Sequence, residues 1–275
     1  MMELPIDLKK IAALTQRDIR NWSTYKTAAL TSVLGTLLGV ASWGLSTTYR
    51  NRAVPDYNTD YVSFLITGVI IANLILPLGQ GVQKGLNPQT IENILMTGMP
   101  TPTFVLGQVM WPYILSVIFL IPQVFIGVYV FHAHLIINYV SLILAVAISS
   151  AIVFSFSVIS TGMRIVTKVN DPFTWAISVM SQIFSGMTFP VSHLNDYIPG
   201  LSTVSWFLPQ TWIYHIVRLA TLEDGSLTQP DVATSFLVTL VIAIVLVPIS
   251  MRVFQWDSRA PSVMGRLVIT DCFND

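Results

Sequence analysis

The sequence predicts an all-α polytopic membrane protein, and three observations carry that prediction. Hydrophobic residues make up 53% of the 275 residues and charged residues only 10%, with a mean hydropathy of +0.67. Soluble domains carry about 25% charged residues, and a soluble fold of this length has no means of covering its exterior with so few. The apolar residues also fall in runs of about twenty, the length a helix needs to cross about 30 Å of hydrocarbon. Lys and Arg, finally, gather in the gaps between those runs and are unequally shared between them.

Each run justifies a span in turn. Residues 27–47 are nearly free of charge and end near Trp43 and Tyr49, which suit an interfacial belt. Residues 61–80 follow, with Pro77 expected to kink the last turn. Residues 104–131 carry Pro112 and Pro122 and predict a bent or tilted helix, while 136–161 end in the serines 149, 150, 155, 157 and 160. Residues 173–189 and 232–251 complete six spans. In hydrocarbon the backbone must satisfy its own hydrogen bonds, so helices are expected throughout.

The intervening segments are read separately. In 6–25, Ile6, Leu8, Ile11, Leu14, Ile19 and Trp22 approximate an apolar stripe opposite Asp7, Lys10, Arg17, Asp18 and Arg20. That pattern predicts an amphipathic helix lying in the membrane interface. Residues 190–219 are too apolar for a solvated loop and, with Pro199, Gly200 and Pro209, too interrupted for one straight helix. Re-entrant half-helices fit them. An even number of spans puts both termini on one side, with eleven of the fourteen Lys and Arg residues; Arg50, Arg52 and Arg218 fall on the other. The excess makes the termini cytoplasmic, in a multi-pass protein of the cell membrane, with 252–275 as a cytoplasmic tail.

Several chemistries find no support in the residues. No G-x-x-x-x-G-K-[ST] phosphate loop exists, so the chain is not expected to bind or hydrolyse ATP. His132 and His134 have no acidic or cysteine neighbour to complete a metal site. Zero net charge gives no reason to expect nucleic acid. The middles of the six spans contain no Asp, Glu, Lys or Arg, whereas ion-coupled carriers bury an ionisable group there. The neutral groups in their place, Asn73, Gln80, Gln108, Gln123, Gln182 and the hydroxyls of the fourth span, are assigned chiefly to hydrogen bonds between helices.

Two motifs then point to a family. Lys84 to Pro100 reads KGLNPQTIENILMTGMP, a short amphipathic helix with Ile91, Ile94 and Leu95 on one face. Thr90-Ile91-Glu92 and Ile94-Leu95 resemble the coupling-helix region of ABC-2-type transporter permeases, although Val82-Gln83-Lys84 stands where the family usually has a Glu/Arg cluster. Ser185-Gly186-Met187-Thr188-Phe189-Pro190, Leu194, Leu208-Pro209 and Arg218 resemble its "SG-x-x-[FY]-P … LP … R" pattern, which in that family forms extracellular re-entrant helices. With the interfacial helix and six spans, the resemblance covers nearly the whole chain.

The resemblance implies a single transmembrane domain over 1–275, without a cofactor of its own. It would work with a second permease copy, identical or different, and with ATP-binding-cassette ATPase subunits that bind ATP and Mg. Thr90, Ile91, Glu92, Ile94 and Leu95, within a coupling helix over 84–100, would dock on the ATPase. The second and fifth spans would line the substrate path through Ile70, Asn73, Met180, Gln182 and Phe184. The expected function is a permease, an exporter of a hydrophobic or amphipathic substrate, not itself an enzyme. The alternative is an ATP-independent membrane enzyme or lipid scramblase.

Overall fold

The computed structural model describes residues 7–47, 53–85, 101–167, 179–180 and 183–258, and these are mostly helical. Helix α1 (Leu8–Thr24) begins at Asp7, whose carboxylate accepts from the amides of Lys9 and Lys10 and so meets two of the donors that a helix start leaves unpaired. α2 (Lys26–Thr47) follows after Tyr25 alone. Two short antiparallel strands, β1 (Ala53–Val54) and β2 (Thr59–Asp60), flank a tight turn in which Asn58 adopts a left-handed φ of 44°. Asn tolerates that conformation better than most residues.

α3 (Tyr61–Gly85) is the central helix. Every residue from Ser63 to Ala72 is buried, so this stretch is apolar all round rather than striped. α4 (Thr101–Phe125) packs along it and passes into a wider π-helical turn, Ile126–Val130. There Gly127 lets the backbone approach α3: a Cβ at that position would lie 2.8 Å from Ile66 Cγ2. α5 (Tyr139–Thr167) and α9 (Pro230–Ser258) form the most extensive helix pair. Between α5 and α9 come α6 (Leu194–Tyr197), α7 (Leu201–Trp206) and α8 (Pro209–Leu222). α8 starts with proline in its first turn, where a missing N–H costs nothing, and then buries Ile213, Tyr214 and all of Ile216–Leu222. It is wedged among α3, α5 and α9, and the largest core cluster joins all four through Ile71, Ile152, Ile213, Val217 and Phe236.

The outward faces are apolar as well. Val117, Ile118 and Ile121 on α4, Val140 and Ile143 on α5, and Leu237, Val241 and Ile244 on α9 are exposed. Contiguous apolar surface of this kind is stable only against lipid or protein. Among the described residues, three helical stretches are long and apolar enough to cross a membrane, Leu106–Val130, Tyr139–Ile159 and Pro230–Val253, with shorter apolar helices at Leu30–Ser46 and Tyr61–Leu74. This is the pattern of an all-α membrane protein.

The structure departs from the sequence expectations in several places. The helix expected to run to Phe189 has ended by Ser185, because Gly186 takes a φ of 76° and Pro190 follows. The last helix continues past Met251 to Ser258, into the residues expected to be tail. The α1 stripe divides: Ile11, Leu14 and Trp22 are partly covered, whereas Leu8 and Ile19 are exposed. The serines of α5 bond mainly to their own helix, Ser150 to the carbonyl of Val146 at 2.6 Å, Ser155 to Ala151 at 2.8 Å and Ser157 to Val153 at 2.8 Å. Back-bonding one turn earlier needs no partner helix.

One polar contact between helices is Asn73 to Gln123, the amide of Asn73 donating to Gln123 Oε1 at 3.0 Å, with Gln123 only 1% exposed. A double-mutant cycle with Asn73→Leu and Gln123→Leu should return a coupling of about 0.6 kcal/mol, up to about 1.7, in thermal unfolding in detergent. Strictly additive losses would show that the two amides do not act as a pair.

Candidate functional site

The strongest cluster of polar chemistry among the described residues surrounds Arg218, on α8. The side chain is 1% exposed, a full charge taken out of solvent. Its fork of N–H groups is used on the backbone: Nη1 donates to the carbonyl of Gly186 at 2.5 Å, and Nη2 to those of Met187 at 2.9 Å and Phe64 at 3.3 Å. The guanidinium carbon stands 3.6 Å from the centre of the Phe64 ring, with the Tyr214 and Tyr57 rings 5.6 and 5.8 Å away. No carboxylate forms an ion pair with it among the described residues. Carbonyl dipoles and aromatic faces therefore do the work of a counter-ion. Nε is buried with no acceptor among the described residues.

Each contact has a local cause. Gly186 turns the chain through a positive φ, which points its own and the next carbonyl at Arg218. Gly68, one turn beyond Phe64 on α3, leaves room for the cluster: a Cβ there would collide with the Met187 carbonyl and lie 2.7 Å from Arg218 Nη2. Tyr61, at the start of α3, donates from its hydroxyl to the carbonyl of Thr188 at 3.0 Å. Arg218 thus joins α8, the turn at 186–188 and the first turns of α3.

A second layer sits beside it. Tyr57 Oη and His215 Nδ1 share a hydrogen bond of 2.9 Å, tying the β1–β2 turn to α8. Trp206 stands edge-on to His215 at 5.1 Å and packs on Trp212 at 4.8 Å, while Trp212 Nε1 donates to the Trp206 carbonyl at 2.8 Å. Ser192 donates to Asp56 at 2.5 Å and closes the turn against the segment after Pro190. Burial holds His215 down at about 4; the Arg218 charge adds to that effect and Asp56 opposes it. Burial likewise raises Tyr57 above its usual value.

Of the residues singled out in the sequence, the structure brings Gly186 and Arg218 into direct contact, with Ser185 and Pro190 buried alongside and Leu208 preceding the first turn of α8. Ile70 is buried in a cluster with Ile66 and Ala133, Asn73 is engaged by Gln123, and Met180 is 40% exposed. The carbonyl of Phe184 accepts from Thr211 at 3.5 Å. Thr90, Ile91, Glu92, Ile94, Leu95 and Gln182 lie outside the described residues. Among the described residues no group of His, Cys, Asp and Glu is placed to hold a metal; the amide of His134 donates instead to Ser63 Oγ at 2.7 Å. Sequence reasoning missed Phe64, Gly68, Tyr57 and His215. A lone glycine inside an apolar helix was the one available signal.

No family model, no curated protein and no solved structure matches this chain.

Two outcomes follow from this geometry. Arg218→Met leaves the carbonyls of Gly186 and Met187 without donors, and Arg218→Lys keeps the charge without the fork. Each should lower stability by about 2–4 kcal/mol, read as thermal unfolding in detergent, with lysine giving no rescue. His215 has a folded pKa of about 4, below its ordinary 6.5, so the unfolded chain takes up the proton first. Its contribution is present above about pH 6.5 and lost as pH falls toward about 4. The unfolding midpoint should drop across that window, and His215→Gln should flatten the profile.

Proposed function

We propose that the chain is the permease subunit of an ATP-binding-cassette transporter, an exporter of a hydrophobic or amphipathic substrate driven by a separate ATPase. In this reading it crosses the cell membrane six times with both termini cytoplasmic. Residues 84–100 form the contact with the ATPase, and residues 190–219 close the outer end as re-entrant elements. Two permeases and two ATPase subunits make the working unit.

One observation carries the reading: α3 runs unbroken from the Arg218 cluster to Gly85, where the proposed docking segment begins. A helix of 25 residues is a rod of about 37 Å. A push on 84–100 would enter that rod and the start of α4, since the segment connects the two helices. At its far end the rod contacts the turn at 186–187 through Arg218. Nucleotide-driven closure at one face would then reach the other by rigid-body displacement. The neutral span interiors agree with energy supplied from another subunit rather than from an ion.

The reading is tested by co-expressing the chain with candidate ATP-binding-cassette subunits and purifying the complex. Vanadate-sensitive ATP hydrolysis is expected from the pair. Ile94→Asp should reduce permease-dependent hydrolysis roughly tenfold or more, because a carboxylate buried in a docking groove costs more than about 1.4 kcal/mol. Glu92→Ala should reduce it less, with membrane insertion intact in both. Full substrate or lipid movement by the purified chain alone, without ATP, would favour the scramblase reading instead.

A further inference from the structure

We infer that α1 carries a binding surface for anionic phospholipid headgroups. The inference goes beyond the transport reading and does not depend on it.

Placement comes first. α1 packs against the beginning of α4: the Asp7 amide donates to Thr103 Oγ1 at 3.2 Å, and Arg17 Nη2 donates to Gln108 Oε1 at 3.4 Å. Leu14 covers Gly107, where a Cβ would lie 2.5 Å from Leu14 Cδ1, and the Trp22 and Trp111 rings meet edge to face at 5.9 Å. The apolar span of α4 starts at Leu106, so α1 lies at the level where that helix enters hydrocarbon. Its other end meets the same level, since α2 starts at Lys26 and turns apolar from Leu30. Paired tryptophans at such a depth mark a headgroup layer.

The uncovered side of α1 then has the chemistry of that layer. Leu8 and Ile19 are about three turns apart on one line of the helix, and both are exposed, at 75% and 42%. Lys9 and Arg20 have the same spacing on the adjacent line and are also exposed. An apolar line bordered by a basic line is the arrangement of a helix seated at the acyl–headgroup boundary.

Charge selects the anionic headgroup. The two acids of this region are already engaged, Asp7 with Lys10 at 3.8 Å and Asp18 with Arg17 at 2.8 Å. Lys9, Arg20 and the adjoining Lys26 form no ion pair among the described residues. Three cations without carboxylate partners, at the depth of lipid phosphates, match a phosphatidylglycerol-like surface better than a zwitterionic one. Anionic lipid adds roughly fivefold in affinity per basic residue near the surface.

The full chain, purified in neutral detergent, is titrated with phosphatidylglycerol or phosphatidylcholine of the same acyl chains, and lipid retention is read by native mass spectrometry. Phosphatidylglycerol should be preferred roughly tenfold or more. The triple variant Lys9→Gln, Arg20→Gln, Lys26→Gln should approach parity with unchanged circular dichroism. Independently of any variant's folding, the preference of the unaltered chain should shrink as salt is raised, while phosphatidylcholine retention stays constant. In vesicles, a spin label at Ile19→Cys (with Cys272→Ser) should be more accessible to dissolved oxygen than to a water-soluble nickel complex. Equal retention of both lipids by the unaltered chain overturns the inference and leaves the basic line to a protein partner. A full preference surviving in the triple variant, or a label reached mainly by nickel, overturns it as well.

Discussion

A guanidinium buried with no carboxylate partner among the described residues is expensive, and much of this structure is arranged around meeting that cost. Arg218 is closed off from solvent, yet its N–H groups reach three backbone carbonyls and its plane lies over Phe64. Carbonyl oxygens offer partial rather than full negative charge, so several are needed where one carboxylate would serve. They come from two separate stretches of chain, the turn at 186–187 and the first turns of α3. The arginine therefore holds a turn, the central helix and α8 in one register. A salt bridge would have joined only two groups.

The same requirement accounts for features that look unrelated in the sequence. Gly68 is small because the Met187 carbonyl and Arg218 Nη2 occupy the space a side chain would fill. Gly186 has a positive φ because an ordinary turn would aim its carbonyl elsewhere. Pro209 starts α8 without a wasted donor, and ten of that helix's fourteen residues are then buried among three neighbours. Tyr57 and His215 tie the β1–β2 turn over the same helix. A buried polar group can specify a unique arrangement in this way because every alternative leaves a donor or acceptor unmet.

Legibility in the sequence followed the physics of each signal. Hydropathy reports the solvent of a helix, so the stretches now seen as α4, α5 and α9 were readable as helices, although α5 and α9 continue past the apolar run to Thr167 and Ser258. Amphipathic spacing made α1 readable as a helix. It did not reveal that Leu14 faces α4 while Leu8 and Ile19 face outward, because all three are apolar and only the partner separates them. The order of Gly186, Pro190, Pro209 and Arg218 was visible, but the reason for it was not. Their meeting depends on Phe64 and Gly68, more than a hundred residues earlier, and no local pattern encodes that contact. The serines of α5 misled for a different reason: a hydroxyl in a helix always has its own carbonyl one turn back, so composition alone overstates bonding between helices.

The start and the middle of α3 differ in kind, and that difference bears on how the molecule can move. At Phe64 and Gly68 the helix is held by directional bonds in a dry site, where a displacement of an ångström would strip hydrogen bonds from a buried charge. Around Asn73 the polar contact is one neutral bond to Gln123 among apolar neighbours, and such packing tolerates sliding better. α1 adds a contact of a third kind, since it grips the start of α4 through Leu14, Trp22 and two hydrogen bonds while its other side stays uncovered. A displacement along α3 is therefore resisted more strongly at the Arg218 turn than at Asn73.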